Sequence, residues 1–153
     1  MLAVVLAAAG AALAATNAKT LKDPRGDVRA ADLDITSASV AIGRNVTLRM
    51  TMAGRIGTNA SYTGVFTCRR QVWLVGVQRS AGGTNFFAYQ ISQPRQTGAT
   101  GRISGRTITV SASARRMGCT KGVARFGLTT AGVNGRPSAG DRAPNRGTAR
   151  VRI

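Results

Sequence analysis

Gly43-Arg44-Asn45-Val46-Thr47-Leu48-Arg49-Met50-Thr51-Met52 is the stretch that decides the fold. Val46, Leu48, Met50 and Met52 alternate with Thr47, Arg49 and Thr51. A period of two puts the apolar set on one face and the polar set on the other, as in a half-buried β-strand. Gly43-Arg44-Asn45 reads as a hairpin turn. Before that turn, Ala38, Val40 and Ile42 keep the same spacing. Leu33 and Ile35 also alternate, but out of phase with those three, which predicts a β-bulge near Thr36-Ser37.

The rhythm continues along the chain. Strands are predicted over 62–68, 71–78, 85–92, 123–130 and 148–153, and a hairpin over 101–103 and 106–114 turning at Ser104-Gly105. The segment 71–78 is apolar on both faces: Val72 and Leu74 oppose Trp73, Val75 and Val77, which suits the middle of a sheet. Phe87, Tyr89 and Ile91 share one face, with Phe86 opposite. No window carries a helical stripe. The expected fold is all-β: a single antiparallel β-sandwich, jelly-roll or Ig-like, of about eight or nine strands. The expected organisation is an apolar signal segment at 1–18, an arm at 19–30 and the sandwich at 31–153.

The first segment is an apolar run of Leu, Val, Ala and one Gly that ends in small residues. It is too short to span a bilayer, which takes roughly 20 residues, and reads as the helical core of a secretory signal. No Lys or Arg precedes the run, which leaves a retained anchor as the alternative to cleavage. Export makes Cys68 and Cys119, the two cysteines, an expected disulfide, and the expected location extracellular.

The chain carries 22 Lys+Arg against five acidic residues, a formal net charge of +17. Such a field draws in polyanions. If the disulfide forms, it gathers Arg69 and Arg70, which follow Cys68, with Arg115, Arg116 and Lys121, which flank Cys119. Arginine forks suit phosphate, sulfate and carboxylate groups, making these five the expected anion-binding residues. The alternative is that adjacent side chains alternate faces and disperse.

All five acids are aspartates, and there is no Glu or His. Four lie in one segment, Asp23-Pro24-Arg25-Gly26-Asp27 followed by Asp32-Leu33-Asp34-Ile35; the fifth opens Asp141-Arg142-Ala143-Pro144-Asn145-Arg146-Gly147. A D-x-x-G-D turn, a D-I strand start and a closing D-x-A-P-N-x-G resemble secreted bacterial, actinobacterial-type β-sandwich domains of the carbohydrate-binding-module and DOMON-like kind. The two short motifs carry the resemblance, and the strand rhythm extends it over 23–153. It implies that the first and last strands lie close, bringing Asp141 and Asn145 near Asp23 and Asp27. Those four side chains could hold a structural Ca²⁺, which takes six to eight oxygens, with Asp32 or Asp34 adding a ligand. The alternative is plainer: Asp and Asn start turns by bonding backbone, and neighbouring arginines supply ion pairs.

No catalytic residue is expected. The usual general bases His and Glu are missing, and no nucleophile has an activating partner. Two distant cysteines without His make a poor zinc site. Nucleic acid is not an expected partner: aromatic residues are only 5% of the chain, too few for a stacking groove, and export argues against it. Membrane contact is expected only through an uncleaved signal segment, and the oligomeric expectation is a monomer. Tyr62, at a strand start beside a polar loop, is a candidate exposed platform for sugars. The function these features support is non-catalytic binding of an anionic polysaccharide or cell-wall polymer at the cell envelope. The alternative is a protein-interaction or inhibitor domain using a rigid loop at 54–61 or 131–142.

Overall fold

A computed structural model describes residues 17–93, 95–133 and 140–153. The signal segment up to residue 16, and residues 134–139 of the second candidate loop, lie outside the described residues.

Twelve strands are present among the described residues, in chain order β1 Asn17–Lys22, β2 Ile35–Ile42, β3 Asn45–Met52, β4 Ala60–Cys68, β5 Gln71–Ser80, β6 Gly83–Gln90, β7 Arg95–Thr97, β8 Ala99–Ser104, β9 Thr107–Ser113, β10 Val123–Gly132, β11 Arg142–Ala143 and β12 Ala149–Arg152. All pairings are antiparallel. One sheet has the order β1-β2-β3-β9-β8. The other runs β11-β10-β4-β5-β6-β7, with β12 also paired to β10. The two-sheet, all-β architecture is that of a β-sandwich. The strand count exceeds eight or nine because three short pieces, β1, β7 and β11, pair only at sheet edges.

The alternation seen in the sequence positions the core. Val46, Leu48, Met50 and Met52 are fully buried, as are Ile108 and Val110 on the neighbouring β9. Burying a side chain of this size stabilises the fold by roughly 1.5–3 kcal/mol. The register of β2 on β3 slips between Ile35 and Ser37, so Leu33 and Ile35 reach the same core as Ala38, Val40 and Ile42. From the other sheet, Trp73, Val75, Val77, Phe66 and Phe126 face inward. The Phe66 and Phe126 rings lie 6.1 Å apart. Bare Gly64 lets the sheets approach: a Cβ there would come within 2.8 Å of Leu48 Cδ2 on the opposite sheet.

Tyr62 is fully buried, contrary to the platform expectation. It shares the inward phase of Phe66 and Cys68 on β4, and the strand's alternation outweighs the polarity of the loop before it.

The two outer faces differ. That of the five-stranded sheet carries Thr47, Arg49, Thr51, Thr107, Thr109 and Ser111, with Thr47 and Ser111 hydrogen-bonded at 2.9 Å. That of the seven-stranded sheet carries Val65, Val72, Leu74, Phe87, Tyr89 and Ile91. Val65, Leu74 and Tyr89 lie side by side across three strands.

Candidate functional site

The topology separates the charges into two poles. The hairpin β4–β5 and the start of β10 mark one pole; the start of β2 and the end of β10 mark the other. Seven residue steps along β10, from Val123 to Thr130, separate them by about 23 Å at 3.3 Å per residue.

At the first pole the Cys68–Cys119 disulfide is formed, with Cα atoms 5.2 Å apart and both residues buried. A buried disulfide fits an extracellular protein, and no described helix is long and apolar enough to cross a membrane. Arg69 and Arg70 are the two turn residues between Cys68 and Gln71, which pair across the hairpin. Both adopt left-handed backbone, φ 47° and 70°. That is the twist a two-residue hairpin needs, and Asn-Gly is the usual sequence for it. Arg115 and Arg116 project from a tight turn held by Gly118 N–H to Arg115 O at 3.2 Å and Cys119 N–H to Ala114 O at 2.8 Å. Met117, in the same turn, is fully buried and anchors it. Arg69, Arg70, Arg115, Arg116 and Lys121 are all exposed.

The bridge therefore brings the five expected cations to one end of the sandwich. A sixth, Arg44, joins them: Ala114 N–H donates to Arg44 O at 3.2 Å. Nothing in the sequence around Gly43-Arg44-Asn45 announces this, because only the pairing of β3 with β9 carries that turn to the pole.

Arg115 and Arg116 do not disperse. With Ser113, Gln96, Thr97 and Trp73 they line one cleft of about 530 Å³. Trp73 and Thr97 are buried, and neither the indole Nε1 nor the Thr97 hydroxyl has a hydrogen-bond partner among the described residues. An unpartnered buried polar group costs about 1–3 kcal/mol, so two beside one cleft call for explanation. β7, which supplies Gln96 and Thr97, was missed in the sequence because three residues carry no readable period.

At the second pole, oxygens of Asp23, Asp27 and Asp141 all lie within 4.8 Å of one another. Asp141 Oδ2 accepts the Ile35 N–H at 2.6 Å and its Oδ1 accepts the Arg142 N–H at 2.6 Å. Thr130 braces this strand end: its hydroxyl donates to Leu33 O at 2.6 Å and accepts the Asp141 N–H at 2.9 Å. Asp34 Oδ2 accepts the Gly26 N–H at 2.7 Å, inside the Asp23–Asp27 turn. Asn145 Nδ2 donates to Asp27 Oδ2 at 3.3 Å. The residues named from the two motifs thus meet in space. The turn-forming bonds of the plainer alternative are present too; among the described residues no Lys or Arg pairs with Asp23, Asp27, Asp34 or Asp141. Burial raises the Asp23 carboxyl to about 6, helped by the charges of Asp141, Asp27 and Asp34 and by a side-chain hydrogen bond with Asp141. Burial also raises Asp141, against the lowering effect of its two amide donors.

Comparison with protein-family models, characterised proteins and solved structures found no match. The chemistry of the two poles must be read from their own geometry.

Proposed function

We propose that the chain is a secreted, non-catalytic binding domain whose basic pole engages an acidic polymer or glycan of the cell envelope. The observation that carries this reading is the Arg69-Arg70 hairpin. Holding ordinary residues in left-handed backbone costs roughly 1–2 kcal/mol each. Such strain tends to collect at functional sites. Two arginines stand where Asn-Gly would be relaxed, and they crown a cluster of like charges. An anionic ligand would relieve that repulsion.

The cleft beside Arg115 and Arg116 supplies the second half of the reading. It offers mainly donors: two guanidinium groups, an indole N–H and hydroxyls. Its volume falls in the usual range of small-ligand sites. A carboxylate-, sulfate- or phosphate-bearing sugar unit would satisfy those donors while the polymer runs over the arginines. The likeness to carbohydrate-binding and DOMON-like sandwiches points the same way.

The test is salt elution from an immobilised acidic polysaccharide. Charge reversal at Arg115 and Arg116 is compared with reversal at Arg49 and Arg102, which flank Thr109 on the outer face of the five-stranded sheet and do not line the cleft. Both variants change net charge equally. Earlier elution of the first alone supports the proposal. Equal shifts would mean that only the overall field acts.

A protein-binding role is the second reading, and one surface favours it: the apolar outer face from Val65 to Ile91. The loop at 54–61 has the rigidity such a role asks for, since Arg79 pins it by donating to Ile56 O and Gly57 O at 3.0 and 2.9 Å. A stoichiometric protein captured from the culture medium, and released by Leu74→Asp, would favour this reading over the first.

A further inference from the structure

We propose that Asp23, Asp27 and Asp141, backed by the buried Asp34, form a site for a hard divalent cation, Ca²⁺ by preference, which locks the N-terminal arm to the last third of the chain. This goes beyond the anion reading and concerns the opposite pole.

Geometry is the first support. Opposed oxygens across an ion with bonds of about 2.4 Å stand about 4.8 Å apart. Three carboxylates from two distant segments meet that limit. The second support is independent of their clustering. Asp34 is only 2% exposed, and its carboxylate reaches into the Asp23–Asp27 turn, where Oδ2 takes the Gly26 amide. Its other oxygen, Oδ1, has no hydrogen-bond partner. A buried carboxylate oxygen without donor or counter-ion is a costly arrangement.

The charge pattern sharpens this. The chain has 22 Lys+Arg, yet none among the described residues neutralises these four acids. A divalent cation would supply the positive charge that these carboxylates lack among the described residues. All the donors are oxygens, with no Cys, and the chain has no His, which selects hard ions over zinc or copper. Asn145, bonded to Asp27, stands ready to add its amide oxygen. The amides of Gly26, Ile35 and Arg142 hold three of the carboxylate oxygens and so fix the rotamers of Asp34 and Asp141 before any ion arrives.

The experiment is calorimetric titration of the full chain, stripped with a chelator and dialysed, with CaCl₂ at about pH 7.5. One ion should bind per chain, and saturating Ca²⁺ should raise the melting temperature by roughly 5 °C or more. Asp27 is exposed, so Asp27→Asn should fold normally and bind at least about tenfold more weakly. Arg115→Glu with Arg116→Glu should leave Ca²⁺ binding unchanged, which keeps this test separate from the anion reading. The proposal is overturned if the wild-type chain gives neither heat nor a melting shift. It is equally overturned if Asp27→Asn binds Ca²⁺ like the wild type.

Discussion

Asp141 Oδ2 accepts the backbone N–H of Ile35 at 2.6 Å, across 106 positions of sequence. The carboxylate is buried and takes a second amide, that of Arg142. One side chain thus ties the entry to β2 in the first sheet to the edge of β10 in the second.

Removing that tie should be expensive. Asp141→Ala strands two amide donors, one of them in the buried entry to β2, and hydrogen bonds to a charged acceptor are each worth about 1.5–3 kcal/mol. Net destabilisation of about 2–4 kcal/mol is expected, read as a lower midpoint in denaturant with an unchanged slope. Asp141→Asn keeps one acceptor and should lose less. A midpoint unaffected by Asp141→Ala would show that the bond contributes nothing.

The same pole predicts an unusual pH response. Asp23 is raised from 3.8 to about 6, first by burial and then by three carboxylate charges. The folded state therefore binds this proton more tightly than the unfolded state. Stability from this group is full below about pH 4 and is lost as pH rises through about 6. Asp141 shifts in the same direction. With no His or Glu in the chain, no other kind of side chain titrates between about pH 5 and 7.5. In chelator, then, melting temperature should rise as pH falls from about 7.5 to about 5. With Ca²⁺ present the gain from the ion should shrink over the same range, because protons and metal compete for the carboxylates. A chelated protein that melts lower at about pH 5 than at about pH 7.5 would contradict this.

Much of the fold was legible because a period of two needs no partner to be read. Val46 to Met52 on β3 and Ile108 to Ala112 on β9 declare their inward faces by themselves. So does the slip at Thr36-Ser37, since Leu33 and Ile35 cannot share a face with Val40 without a bulge. Partner-dictated structure was not legible. β7 and β11 exist only because β6 and β10 offer free edges. The poles mixed both kinds of information. Cys68 and Cys119 predict each other, so the arginines beside them could be grouped from sequence. Arg44 and the Trp73–Thr97 cleft could not, because strand order alone brings them there. Tyr62 misled because its loop neighbours are polar, although its phase with Phe66 already placed it inside.

Thr97 offers a test of the cleft with a sign opposite to ordinary core damage. Its buried hydroxyl has no partner among the described residues. Thr97→Val removes the unpaired group at nearly constant volume, so stability should hold or rise by up to about 1 kcal/mol. If the hydroxyl serves a bound sugar acid, affinity for the polymer's repeating unit should fall roughly fivefold or more in the same variant. Loss of stability would mean the hydroxyl is bonded in the fold. Unchanged affinity would remove Thr97 from the site.

The hairpin arginines carry the sharpest trade-off. Arg69→Asn with Arg70→Gly installs the preferred sequence for a left-handed two-residue turn between Cys68 and Gln71. Backbone strain falls, and two charges leave a repulsive cluster. The double variant should therefore be more stable by roughly 1–2 kcal/mol. If the arginines are kept for a ligand, the same variant should elute from an acidic polysaccharide at distinctly lower salt. It should also lose more affinity than Arg49→Asn with Arg102→Gly, which removes equal charge from the opposite sheet. Stability and binding then move in opposite directions at one hairpin, and the excess loss over the equal-charge control is what a general basic field cannot produce. If the double variant gains no stability, the strain argument fails. If it gains stability and binds as before, the arginines are not the contact.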